Sequence, residues 1–143
     1  MAQGLNALNG QSKEYVGWKP SGGNPAYALQ HSNDDKRLGS NPINIGVDAV
    51  EASLYGAVFQ NPNASAVYIK FYNLPAEKVT PGTTSPILTR LLPSSGELFM
   101  PPQLMPYVYG AGGLCMSAVT GMGDSVAAGP ASPIYFDIIT EQP

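Results

Sequence analysis

The chain has 143 residues, including 16 Gly and 14 Pro, and a formal net charge of −3 at pH 7. Gly costs about 1 kcal/mol and Pro about 3 kcal/mol in a helix interior, so this composition argues against a helical bundle. With 43% hydrophobic and only 12% charged residues, it also lacks the signature of a disordered polymer, and a compact unit of strands and turns is expected.

Residues 1–41 are rich in Gly, Asn, Ser, Gln and Pro, with apolar residues spaced too widely for a period of 3.6 or of 2. Pro20-Ser21-Gly22-Gly23-Asn24-Pro25 and Gly39-Ser40-Asn41-Pro42 are loop punctuation. The segment reads as an extended N-terminal arm whose Tyr15, Trp18, Tyr27 and Leu29 are candidate anchors on a partner, since Trp and Tyr dominate interface hot spots. Four basic residues (Lys13, Lys19, Lys36, Arg37) against three acidic ones (Glu14, Asp34, Asp35) leave the arm almost neutral.

Residues 42–143 read as a single β domain. Ile43, Ile45 and Val47 alternate as in a half-buried strand, and Leu54–Gln60 is closed by the turn residues Asn61-Pro62-Asn63. Ala66–Tyr72 is the most β-prone run, with Val67, Ile69 and Phe71 on one face and Tyr68, Lys70 and Tyr72 on the other. Ile87–Leu92, Leu98–Met100, Tyr107–Tyr109, Leu114–Val119 and Ile134–Ile139 complete the set. Six to eight short strands with frequent turns predict an all-β sandwich or jelly roll. The expected core is Val67, Ile69, Phe71, Ile87, Leu114, Met116, Ile134, Phe136 and Ile138.

Residues that could carry chemistry do not assemble into a motif. Tyr107–Gly113 resembles a dinucleotide loop, but Cys115 stands where that fingerprint needs Gly or Ala. Gly123-Asp124-Ser125 would need a base, and the one histidine, His31, lies in the arm. Asp34-Asp35-Lys36-Arg37 lacks the alternating oxygen ligands of a calcium loop. No catalytic, metal or cofactor residue is assigned, and no enzyme is expected. Cys115, in an apolar run, reads as a small core residue, and Asn63-Ala64-Ser65 is a glycosylation sequon without a secretory signal. Tyr68, Tyr72, Tyr107 and Tyr109 could form a sugar-stacking platform or cover a sheet face. The few basic residues give no footprint for nucleic acid, and no apolar run reaches the roughly 20 residues of a membrane span. The single cysteine and the absence of a signal-like start make the cytoplasm the expected site of synthesis.

From about Leu54 to Ile139 the order of short motifs resembles a family of small tailed-phage virion proteins. The likeness runs through the aromatic strand Tyr68–Asn73, the loop and strand Gly82–Thr89, and the turn Pro93-Ser94-Ser95-Gly96. It continues in Gly113–Gly121, the Ala-rich loop from Asp124 to Gly129, and the closing strand Ile134–Ile139. The stretch Leu98–Tyr109, with three prolines, departs from the family's short aromatic turn, and the arm lies outside the likeness. The resemblance implies a β-sandwich virion protein, of the capsid cement or decoration type. On that basis the chain is expected on the outer surface of a phage capsid, as a homotrimer that contacts the major capsid protein and bridges neighbouring capsomers. A tail or head-fibre base component is the alternative, and a carbohydrate-binding module a more distant one. The weakly charged, aromatic and Pro-rich stretch Leu98–Tyr109 is the candidate inter-subunit surface, with Tyr107 and Tyr109 as its candidate residues.

Overall fold

The computed structural model describes residues 26–33, 36–46 and 50–142, and these form a two-sheet antiparallel β-sandwich. The strands are β1 (Ala26–His31), β2 (Ile43–Asn44), β3 (Ala52–Gln60), β4 (Val67–Tyr72) and β5 (Leu88–Leu92). They continue with β6 (Glu97–Met100), β7 (Val108–Gly110), β8 (Cys115–Val119) and β9 (Tyr135–Gln142). Among the described residues the helical content is one 3-10 turn, Ala76–Lys78.

The first sheet runs β1-β9-β3-β6, and β7 also pairs with β3; the second runs β2-β8-β4-β5. β6 pairs with Ala57–Gln60 and β7 with Ala52–Leu54, so the two share one edge of β3. Val67, Ile69 and Phe71 of β4 alternate inward and are fully buried with Met116 and Ala118 of β8, as period-2 patterning requires. They meet Leu54, Phe59, Phe136 and Ile138 of the first sheet. Phe59 and Phe71 make an edge-to-face contact between the sheets, with ring centroids 6.4 Å apart and planes at 70°.

Eight of the nine expected core residues are buried, and Ile87 is the exception at 49% exposure. The pairing of Phe71 with Leu88 and of Val67 with Leu92 explains it. Those pairs put Leu88 and Leu92 on the core side, and a shift of one residue in a strand reverses its faces. Arg90, opposite Ile69, shares that inward parity at the open edge, where a charge discourages edge-to-edge pairing.

The sandwich also begins before the expected boundary at residue 42. β1 pairs along its whole length with β9, from Ala26 opposite Gln142 to His31 opposite Asp137. Leu38 exchanges backbone hydrogen bonds with Ile134 at 2.9 and 2.8 Å and is fully buried. Residues 26–31 carry no period-2 hydrophobic signal of their own; β9 supplies the hydrogen-bonding edge that orders them. Of the expected arm, residues 1–25 lie outside the described residues.

Phe71→Ala should cost about 3–5 kcal/mol, whereas Ile87→Ala should stay within about 0.5 kcal/mol. Urea unfolding of the two variants checks the face assignment of β4 and β5, and similar losses for both would contradict it.

Candidate interaction surface

The two sheets differ in how their outer faces are covered. On the second sheet, Tyr68, Lys70 and Tyr72 of β4 lie beside Val119, Ser117 and Cys115 of β8. Lys70 and Ser117 are both 0% exposed and Tyr72 is 1% exposed. The segments 73–86 and 120–129 form the cover. The Lys70 ammonium donates to the Gly123 carbonyl, Val126 N–H donates to that same carbonyl at 3.1 Å, and Thr120 N–H donates to Ala128 O at 2.9 Å. The Tyr72 hydroxyl and Ser117 Oγ lie 3.4 Å apart. Burial raises the Tyr72 phenol above its ordinary pKa, the contact with Ser117 opposing it. Burial alone pushes the Cys115 thiol up to about 12, so it stays protonated and inert at neutral pH.

This arrangement removes the sugar-stacking platform. Tyr72 is covered, and Tyr68 is half-buried on the second sheet. Tyr107 and Tyr109 belong to the edge of the first sheet, so the four rings share no surface. The Gly123-Asp124-Ser125 segment acts as a cover, with its glycine carbonyl accepting from Lys70. The Asn63 amide donates to Ser132 O and accepts from Ser132 N–H, both at 2.8 Å, tying two loops together. Among the described residues no group of three or more His, Cys, Asp or Glu could hold a metal ion.

A cleft of about 910 Å³ opens beside β1, lined in part by Gln30, His31, Lys36, Arg37 and Asn44. Its polar groups are largely committed. The Gln30 amide donates to Asn44 O at 2.9 Å and accepts from Gly46 N–H at 3.0 Å. The Arg37 guanidinium lies 4.9 Å from the centroid of the Tyr135 ring and donates to its hydroxyl at 2.9 Å.

The outer face of the first sheet is different. Its strand registers set Leu29 beside Ile139 and Gly56, Asp137 between His31 and Val58, and Val58 beside Phe99. Ser53 lies between Glu141 and Tyr109. Leu29, Ile139 and Val58 are half-buried, while Phe99 is 60% and Tyr109 47% exposed. A bulge between Leu54 and Gly56 aims Tyr55 outward, and its hydroxyl donates to Glu141 Oε1 at 3.0 Å.

The Pro-rich loop crosses this edge. Gln103 N–H donates to Tyr55 O at 3.2 Å and Tyr107 N–H to Leu54 O at 2.8 Å, so both ends of the loop are pinned to β3. Pro102 lies against Gly56, where a Cβ would come within 3.2 Å of the Pro102 Cα. Between the pins Leu104 is 94% and Met105 73% exposed. Four carboxylates surround the apolar residues: Glu51, which hydrogen-bonds Tyr109, Glu97, Asp137 and Glu141. Desolvation and then Glu51 raise the Tyr109 phenol above its ordinary pKa.

Of the expected anchors, Leu29 and Tyr109 are brought onto this one face. Tyr107 is half-buried and packs on the core edge, with its hydroxyl donating to Pro101 O at 2.7 Å. Tyr27 pairs opposite Glu141 through its backbone, its side chain lying outside the described residues, as do Tyr15 and Trp18 entirely. Phe99, Leu104 and Met105 lie within the expected Pro-rich stretch and are exposed, whereas Val58 and Ile139 join the surface without a sequence signal of their own, since only the pairing of β3 with β9 sets them on this face.

Lys70→Met keeps the stem's bulk but removes the ammonium's hydrogen bond to the Gly123 carbonyl, which retains only Val126 N–H; a hydrogen bond from a charged group contributes about 1.5–3 kcal/mol. Amide exchange across residues 120–128 should accelerate in this variant; unchanged exchange would show that Lys70 does not hold the cover. Cys115 should react with thiol reagents between pH 7 and 9 only as fast as the protein unfolds, because burial favours the neutral thiol throughout that range. Fast labelling of the native protein would contradict this. No family model matches the chain, and no curated protein or solved structure is found similar to it.

Proposed function

We propose that the chain is a structural virion protein, a capsid cement or decoration protein that stabilises the head of a tailed phage by bridging neighbouring capsomers. The observation that carries this reading is the group of apolar residues in solvent on β6, β7 and the loop between them: Phe99, Leu104, Met105 and Tyr109. Contiguous exposed apolar surface marks interaction sites on soluble proteins. Burying it returns about 25 cal/mol per Å², which a permanent assembly can collect at every copy.

Strand order supports the same reading. Counted with β6 and β7 as one broken edge, the orders 1-9-3-6 and 2-8-4-5 are the interleaving of a jelly roll, an architecture used in viral shells among other places. Fold analogy alone does not assign function; the exposed face and the motif order in the sequence add to it. In this mechanism copies join as a trimer at the threefold points where capsomers meet, and the added buried area opposes internal genome pressure. The partners are the major capsid protein and the chain itself.

Native mass spectrometry of the full chain should find trimers, and particles should carry hundreds of copies. Phe99→Glu and Leu104→Glu should shift the protein towards monomer while leaving its melting temperature within a few degrees, because both side chains are already exposed. Monomer alone, in solution and in gently dissociated particles, would overturn the assembly. A few dozen copies per particle would move the protein to the tail or a head-fibre base.

A further inference from the structure

The apolar face and the start of the described chain lie on opposite edges of one sheet. Residues 1–25 lead into β1 at Ala26, while Phe99 and Tyr109 belong to β6 and β7 across the sheet. A donor at one edge and an acceptor at the other is the requirement of a head-to-tail interface, which closes into a ring when the rotation between copies permits.

The chemistry of the two edges is complementary. The acceptor is apolar, with Glu51, Glu97, Asp137 and Glu141 around it and Arg37 as the cation on the same face, stacked on Tyr135. Within residues 1–25 the charged residues are Lys13, Glu14 and Lys19, the same formal charge of +1 as residues 1–41 carry. The arm's apolar stretch Tyr15-Val16-Gly17-Trp18 is preceded by Lys13-Glu14 and followed by Lys19. An apolar stretch ending in Lys19 thus matches an apolar patch with carboxylates at its margin. Reach also suffices, since the eight residues from Trp18 to Ala26 span up to about 26–29 Å when extended.

We propose that the Lys13–Lys19 stretch of one copy docks on the outer face of the first sheet of the next copy, its Tyr15, Val16 and Trp18 covering Phe99, Leu104, Met105 and Tyr109. This rests on the assembly reading above and names the partner of the arm: a second copy of the chain. Lys19 meets the carboxylates at the margin, while the aromatic residues supply most of the affinity. Each copy gives one arm and receives one, and three such contacts close the trimer.

The test uses the full chain with Trp18 replaced by the photo-reactive p-benzoylphenylalanine, in an equal mixture of isotope-labelled and unlabelled copies. Illumination should crosslink position 18 to residues 97–109, with labelled and unlabelled peptides joined in the same product. Leu104→Glu, at a side chain 94% exposed in the fold, should reduce that yield at least tenfold. Trp18→Ala should weaken trimer association at least tenfold. Crosslinks confined to single chains would overturn docking between copies, and so would crosslinks only outside residues 97–109. If position 18 instead joined the major capsid protein in intact particles, this inference would fail while the cement reading stood. Crosslinked trimers that never entered particles would sustain the docking and sink the cement reading.

Discussion

All five residues of β8, Cys115–Val119, are buried, and this burial on both faces constrains the rest of the molecule. Its inward side chains meet the first sheet, as in any sandwich. Its outward ones need a separate cover, because Cys115 and Val119 gain nothing from water and Ser117 sits beside a lysine that is itself enclosed. The segments 73–86 and 120–129 provide that cover. Tyr72, Val79 and Cys115 pack as a small second cluster beneath the first of them, and the Lys70 ammonium holds the second through Gly123. A buried ammonium is tolerated only with a strong acceptor in place, so the loop and the lysine depend on one another.

With two long loops committed to the second sheet, the Pro-rich 101–107 segment is what crosses the outer face of the first sheet among the described residues. That segment is pinned to β3 at both ends and cannot spread. The bulge at Tyr55 and the missing side chain of Gly56 let Pro102 sit directly on the strand, and the residues between the pins project. The exposed apolar surface therefore follows from an uneven distribution of covering loops. A sandwich has four sheet faces; the described residues cover three of them and leave Phe99, Leu104, Met105 and Tyr109 exposed beside the fourth.

Much of the fold was legible in the sequence because period-2 alternation survives wherever one face of a strand meets a core. Val67, Ile69 and Phe71 alternate cleanly, and so do Ile134, Phe136 and Ile138, and all six are buried. Alternation failed for β5, where Ile87 and Leu88 are both apolar and only the pairing with Phe71 selects between them. It failed more fully for β1, whose order comes from the edge of β9 rather than from its own residues. Of the interaction surface, the sequence pointed to the Pro-rich stretch and to Leu29, but it could not place them together. They are about 70 residues apart in the chain and meet only through the registers of β9 and β3.

By itself, then, the sequence determined an all-β chain, because Gly and Pro at this density suppress helices and β-branched and aromatic runs favour strands. It also determined most of the inward face of those strands. The tertiary structure decided which polar-looking segments are structural: that Lys70 is a buried tether, that Asn63 joins two loops, and that residues 26–31 are a strand. It also decided which apolar residues remain outside. The physical reason is the same in each case. Local patterning reports what a residue prefers, whereas exposure depends on which distant segment lies over it, and that is set by strand pairing across the whole chain.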